Sequence, residues 1–150
     1  MPVTAKLSSD WPGYAGTKCI DGDKGNVCHA LKEKVPWLVI DYGRSVKIRG
    51  VVIIPRNGLE IRARNLEVRV ADVMPVKGQP FTAGQRLGTS KEQVTRNWNI
   101  EITSESGSQL LGRYLVVQNN FEGGGDFLNY HEVTAWGKGR IYIHIKTTKL

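Results

Sequence analysis

The residue types best suited to chemistry cluster in one segment of this 150-residue sequence, Lys18-Cys-Ile-Asp-Gly-Asp-Lys-Gly-Asn-Val-Cys-His29. It holds two carboxylates, Asp21 and Asp23, and the amide of Asn26, in a stretch too polar and glycine-rich for helix or strand. Asp-Gly and Gly-Asn pairs tolerate tight and left-handed turns, so the segment reads as a loop crowded with carboxylate and carbonyl oxygens. Such a loop suits a hard cation or a polar ligand. Cys19 and Cys28 bracket it and enclose eight residues. If bonded, they would restrain the loop by about 2–3 kcal/mol and imply an oxidising compartment. Two reduced thiols in a cytosolic protein are the other reading, and no C-x-x-C zinc pattern is present.

Catalysis has little to work with. The histidines are His29, His131 and His144. No G-x-S-x-G motif surrounds a serine, and His131-Glu132 lacks the second histidine of a zinc-protease motif. Gly123-Gly124-Gly125 runs into Asp126, which repels phosphate, and no helix follows to receive an anion. No carboxylate pair can be assigned to glycoside hydrolysis. The chain is read as a binder and not an enzyme.

Strands must hold the polar loop in place. Trp37 to Ile40 forms a short apolar run closed by Asp41 and Gly43, and reads as a buried strand. Lys47 to Ile54 is β-branched and strand-like, ended by Pro55 and the turn Arg56-Asn57-Gly58. Leu66, Val68 and Val70 alternate with Glu67 and Arg69, the pattern of a half-buried strand over Asn65–Val70. Met74 to Gln93 reads as a long connection with one short extended piece. Further strands are expected at Trp98–Ile102, Arg113–Gln118 and His131–Trp136. A last one, over residues 140–147, carries Ile141, Ile143 and Ile145 on one face and offers an edge for pairing with another chain. Leu7, Trp11 and Tyr14 are expected to pack as an irregular lid over the first sheet. Sustained helical periodicity is absent, so short strands between turns argue for an antiparallel sandwich. The length suits one domain, residues 1–150, able to bury roughly 68–70% of its unfolded surface.

The formal net charge is +7. It favours acidic partners: nucleic acid, anionic lipid, or sulfated and sialylated glycans. Bases alternate with apolar residues, as in Lys47-Ile-Arg49 and Arg62-Ala-Arg64, which is the outer face of a strand and argues against nucleic acid. No apolar run approaches the ~20 residues of a membrane helix. Met1-Pro-Val-Thr lacks the basic start and apolar stretch of a signal peptide, as expected of a mature form with an added Met or of a cytosolic protein.

The order Cys-Ile-Asp-Gly, then Cys-His, then Pro-Trp-Leu-Val-Ile-Asp-Tyr-Gly resembles the discoidin or coagulation-factor C-type domain, and more narrowly the fucose-binding F-type lectins. Val51-Val-Ile-Ile-Pro-Arg56, Asn65-Leu-Glu-Val-Arg-Val70, Gly112-Arg-Tyr-Leu-Val-Val117 and His131-Glu-Val-Thr-Ala-Trp-Gly137 follow in the same order. The resemblance spans about residues 5–137. It implies an all-β, antiparallel jelly-roll sandwich with its ligand site in the loops at one end. It implies a sugar held by His29, Arg56 and Arg62, with Glu60 orienting an arginine. It also implies a calcium ion held by the carbonyls of Lys18, Asp23 and His131 and the carboxylates of Asp21 and Glu132. Val27 stands where that pattern has a hydroxyl ligand, a role left to Asn26 or water. His131 replaces the family's cysteine before the glutamate, leaving a local Cys19–Cys28 disulfide as the remaining option.

The expected function is therefore recognition of a fucose- or galactose-type sugar, calcium-assisted and extracellular, with several copies acting together for avidity. The alternative is a basic adhesion or matrix domain. It would bind an anionic glycan, phospholipid or protein through its bases, with Phe121 and Phe127 as loop contacts and the sugar pocket degenerate.

Overall fold

A computed structural model of the chain describes residues 3–90 and 99–143. Nine strands carry it: β1 (Thr4–Leu7), β2 (Cys28–His29), β3 (Trp37–Ile48), β4 (Gly50–Pro55), β5 (Leu66–Ala71), β6 (Gln85–Ser90), β7 (Ile100–Thr103), β8 (Leu110–Asn119) and β9 (Asn129–Trp136). One sheet has the order β1-β3-β8-β5-β6, the other β2-β9-β4-β7. Every pairing between these strands is antiparallel. The chain crosses repeatedly between the sheets, as the resemblance to a jelly-roll sandwich implies. Helical structure among the described residues is confined to short 3₁₀ turns at Gly16–Cys19, Glu60–Arg62 and Lys138–Arg140.

The core lies between the sheets. Leu38, Ile40, Ile48, Leu66, Val68, Leu115 and Val117 from the first sheet meet Val51, Ile53, Tyr130, Val133 and Ala135 from the second. The unbroken apolar run Trp37–Ile40 has a separate cause. Trp37 and Val39 point away from that core and join Ala71, Phe81 and Val116 in a second cluster on the outer face. The connection after β5 folds back to cover this face. Its Phe81 backbone is clamped by the amide of Gln118, which accepts from Phe81 N at 2.9 Å and donates to Phe81 O at 2.7 Å. A strand covered on both faces reads as continuous apolar sequence.

Three elements differ from the sequence reading. The strand from Trp37 does not close at Asp41 and Gly43. It bulges there, with Gly43 at φ 70° and its N–H on Asp41 Oδ1 at 2.8 Å, and resumes to Ile48. The expected strand Lys47–Ile54 is thus two strands in different sheets, broken at Arg49. Gly50 follows because a side chain there would run into the Trp136 ring. Thr4–Leu7 is a regular edge strand on β3, not part of an irregular lid. The expected last strand over residues 140–147 lies partly outside the described residues, as does Trp98. Within them, Tyr142 makes an isolated bridge to Trp136, and Ile143 N–H donates to Ala135 O at 2.9 Å.

Candidate functional site

His29 sits at the end of β2, where that two-residue strand pairs with Asn129 and Tyr130 of β9. The Trp11–Tyr14 turn is laid directly against it: Trp11 N–H donates to His29 O at 2.9 Å and His29 N–H donates to Tyr14 O at 3.0 Å. The turn is tight, closed by Tyr14 N–H on Trp11 O at 3.0 Å with Gly13 at φ 85°. Rings therefore surround the imidazole. Trp11 lies 5.2 Å from it between centroids, Phe127 5.3 Å and Tyr14 6.1 Å. His29 is 7% exposed while Trp11 is 44% exposed. The ring is covered, but an aromatic face beside it meets solvent.

His29 Nδ1 lies 2.7 Å from Ala30 O. A carbonyl only accepts, so Nδ1 carries the proton and Nε2 is the acceptor of the neutral ring. Burial pushes the His29 pKa below its ordinary value; the Ala30 bond opposes this, and the charges of Arg56 and Arg62 add to it. Both guanidinium groups thus lie within electrostatic reach of the imidazole.

Arg62 ends the 3₁₀ turn Glu60–Arg62, and its guanidinium carbon stands 4.8 Å from the centre of the Phe127 ring. Its Nε is 3.7 Å from Asp126 Oδ1, and Arg64 Nη1 is 2.9 Å from the other carboxylate oxygen. Arg64 stacks in turn on Phe121 at 4.6 Å. A buried network fixes this segment from below: Tyr130 Oη donates to Asn119 Oδ1 at 2.7 Å, and Asn119 Nδ2 donates to Arg62 O and Arg64 O. Burial raises the Asp126 pKa, but the N–H of Phe127 and the two guanidinium groups outweigh it, so the carboxyl is held below the usual range.

The loop carrying Asp126 and Phe127 needs Gly125. It has φ 88°, and a Cβ would collide with the backbone carbonyl of Glu33, where Glu33 and Asp126 form a β-bridge. Glu33 is itself anchored by Ser8 and Ser9, whose hydroxyls each donate to Oε2 at 2.6 Å.

Arg56 opens a turn closed by Leu59 N–H on Arg56 O at 3.1 Å. The imidazole of His131 ties this turn to the loop of Asp21–Asn26. Nε2 accepts from Asn57 N–H at 3.1 Å, and Nδ1 donates to Asn26 O at 2.8 Å. Cys19 and Cys28 are joined in a disulfide beneath that loop, both fully buried. Asp21 organises the loop: Oδ1 accepts from Asp23 N–H at 2.9 Å and Oδ2 from the Asn26 amide at 2.6 Å.

Glu132 stands beside this loop. One carboxylate oxygen accepts from Gly22 N–H at 3.3 Å; the other is buried with no hydrogen-bond partner. Burial pushes its pKa up to about 7, with the nearby charges of Asp21 and Asp23 contributing. Glu132 and Asp21 line a half-open cavity of about 240 Å³. An orphaned buried carboxylate oxygen costs free energy that a hard cation would recover. Among the described residues no group of three side-chain ligands could hold a metal. A cation here would need carbonyl oxygens, which calcium takes readily and zinc does not.

The structure thus gathers His29, Arg62 and Phe127 and puts Arg56 within reach of the same imidazole. Glu60 accepts from Gly58 N–H at 3.1 Å; the acid shared by Arg62 and Arg64 is Asp126, which the sequence reading considered only as repelling phosphate. Trp11 was missed as well. Its signal was Trp11-Pro12-Gly13-Tyr14, two aromatics flanking a turn that cannot bury them both. Phe121, expected as a loop contact in the alternative reading, is 5% exposed and lies under Arg64, where it offers no face to a partner.

No family model matches this sequence, and no curated protein does. Solved structures share its fold. A fucolectin from striped bass (Morone saxatilis) serum superposes with a TM-score of 0.75 at 20% identity, over 89% of this chain and 46% of that one. The present chain thus spans less than half of the bass protein. A Streptococcus pneumoniae fucose-binding module aligns with a TM-score of 0.67 at 18% identity, covering 88% of this chain and 89% of its own. A family 32 carbohydrate-binding module of Clostridium perfringens NanJ, solved with galactose, gives 0.65 at 20% identity over 89% and 92%.

Proposed function

We propose that this chain is a non-catalytic carbohydrate-binding module, calcium-assisted and working outside the cell, which holds a fucose- or galactose-type sugar with His29, Arg56 and Arg62. The observation that carries this reading is the arrangement around His29: a neutral imidazole, a guanidinium held on Phe127, and the exposed Trp11 ring beside them. A pyranose offers hydroxyls on one side and a patch of C–H bonds on another. Guanidinium groups supply fixed donors to the oxygens, His29 Nε2 accepts from a hydroxyl, and an aromatic ring covers the apolar side. Two charge-assisted bonds from the arginines at ~1.5–3 kcal/mol each and one neutral bond to His29 at ~0.5–1.5 kcal/mol give ~3.5–7.5 kcal/mol, hence millimolar to micromolar affinity. The sugars named for the bass, Streptococcus and Clostridium structures support the choice of ligand class. The Cys19–Cys28 disulfide supports an oxidising compartment.

Calcium would be held by the carboxylates of Asp21 and Glu132 and the carbonyls of Lys18, Asp23 and His131. It would neutralise Glu132 and stiffen the loop that His131 ties to the Arg56 turn.

The test is a glycan array with the wild type and with Arg56→Ala, Arg62→Ala and Trp11→Ala. Each arginine change is expected to remove sugar binding, and Trp11→Ala to weaken it, with the fold intact by circular dichroism. Full retention after both arginine changes would reject the site. Calcium is tested separately by thermal unfolding. At 100-fold over its Kd it is expected to raise Tm by about 5–10 °C relative to chelator, and Glu132→Ala to abolish the shift. An unchanged wild-type Tm would rule the ion out.

A further inference from the structure

A second polar cleft lies on the other side of the arginine segment from His29. It has a volume of about 360 Å³ and is lined by Asn65, Glu67, Arg86, Thr89, Asn120 and Glu122, with Leu66, whose side chain is buried in the core, at its base. Its walls come from both sides of the β5–β8 pairing, where Leu66 sits opposite Asn119, and from β6, where Thr89 sits opposite Glu67. The loop after β8 closes one side, joined by Asn120 N–H donating to Asn65 O at 3.0 Å.

Two features separate this cleft from an ordinary solvated face. Two of its charged groups are already paired: Glu67 with Arg69 at 2.6 Å, and Arg86 with Glu105 at 2.5 Å. They keep unused oxygens and N–H groups while being held in place. Asn65 is the single non-glycine residue with positive φ among the described residues, at 50°. Asparagine adopts that conformation more readily than most residues, because its short amide can hydrogen-bond locally.

The cleft also neighbours the proposed sugar site by way of the arginine segment, since Asn65 follows Arg64 in the chain. Phe127 carries Arg62, Asp126 bridges Arg62 and Arg64, Arg64 stacks on Phe121, and Phe121 follows Asn120 in the chain. A glycan anchored at His29 and Arg62 would cross this ridge and reach the cleft with its next residues. Amides, a hydroxyl and carboxylates supply paired donors and acceptors, which suit vicinal hydroxyls.

Resting on the sugar-binding reading, we infer that the cleft of Asn65, Thr89, Asn120 and Glu122 is a second carbohydrate subsite, making the module's ligand an oligosaccharide and not one terminal sugar. The subsite adds hydrogen bonds to a chain already held at one end, so it acts on affinity for long ligands only.

The test is isothermal titration of the wild type and of Asn120→Ala/Thr89→Ala and Glu122→Gln, with calcium present. The probes are fucose and galactose as monosaccharides and the branched Lewis b oligosaccharide and GalNAc-β-1,3-galactose as longer ligands. These residues are at the surface, so the variants are expected to fold, checked by unchanged Tm. For the wild type, at least one longer ligand is expected to bind about tenfold tighter than its monosaccharide. The variants are expected to lose that gain while monosaccharide affinity stays within twofold. Equal affinity for short and long ligands, or a gain that survives in both variants, overturns the second subsite and leaves the first standing. Wild type that binds none of the four sugars overturns both. As a positional check, amide shifts of Asn65, Thr89 and Asn120 are expected to move with the longer ligand and not with the monosaccharide.

Discussion

At the scale of the residue, the chemistry turns on a neutral His29. Its folded pKa is depressed, first by burial and then by Arg56 and Arg62, against the bond to Ala30. The unfolded chain binds a proton near pH 6.5, and the folded chain binds it only at lower pH. Stability from this group is therefore full above pH 6.5 and declines as pH falls towards and through the folded pKa. NMR titration of the ring should show a midpoint below 6.5, moving upward in Arg62→Ala as one repelling charge is removed. A midpoint at or above 6.5 in the wild type would contradict the buried, doubly flanked environment. Sugar binding should weaken over the same range, because a protonated Nε2 no longer accepts a hydroxyl.

At the scale of the element, the loops depend on a few backbone positions. Gly125→Ala must bear both a left-handed φ and a clash with the Glu33 carbonyl. Its cost should be about 1–3 kcal/mol by chemical denaturation, with sugar affinity falling as well because Asp126 and Phe127 lie next in sequence. A variant with native stability would remove Gly125 from the account. How far these elements were legible differs from case to case. Leu66–Val70 alternates cleanly because one of its faces is buried, so the pattern and the structure agree. Lys47–Ile54 misled because β-branched residues fill the strands on both sides of Arg49, and nothing local in that run marks the change of sheet. Gly50 held the only cue, and its reason, the Trp136 ring, is distant in sequence. Residues 74–93 were read as a connection with one short extended piece, left unplaced since Arg86, Gly88 and Thr89 lack apolar alternation; Gln85–Ser90 is an edge strand held by pairing with β5. His29, Arg56 and Arg62 were picked out through the resemblance. Asp126 was not, because what makes it a partner for two arginines is a loop approach between residues more than sixty positions apart.

At the scale of the whole molecule, the charge of +7 raises the question of whether attraction is directional or diffuse. Near the proposed sugar site Asp126 is shared by Arg62 and Arg64, so the local charge is partly offset. On the proposed reading, recognition there would rest on aligned hydrogen bonds, which ionic strength barely affects, whereas scattered cations would be screened beyond about 10 Å at 0.1 M salt. The Kd for a neutral sugar should change by less than about twofold between 50 and 500 mM salt. A steep loss over that range would favour an anionic partner held by the general positive surface. Among the described residues no helix is long and apolar enough to cross a membrane.

One imidazole, that of His131, spends both nitrogens on bridging, donating to Asn26 and accepting from Asn57. Moving either loop alone would break a bond belonging to the other. A cation proposed for the acidic side and a sugar proposed for the arginine side would then be coupled through this ring, and reciprocity would oblige each guest to alter the other's affinity by an identical factor.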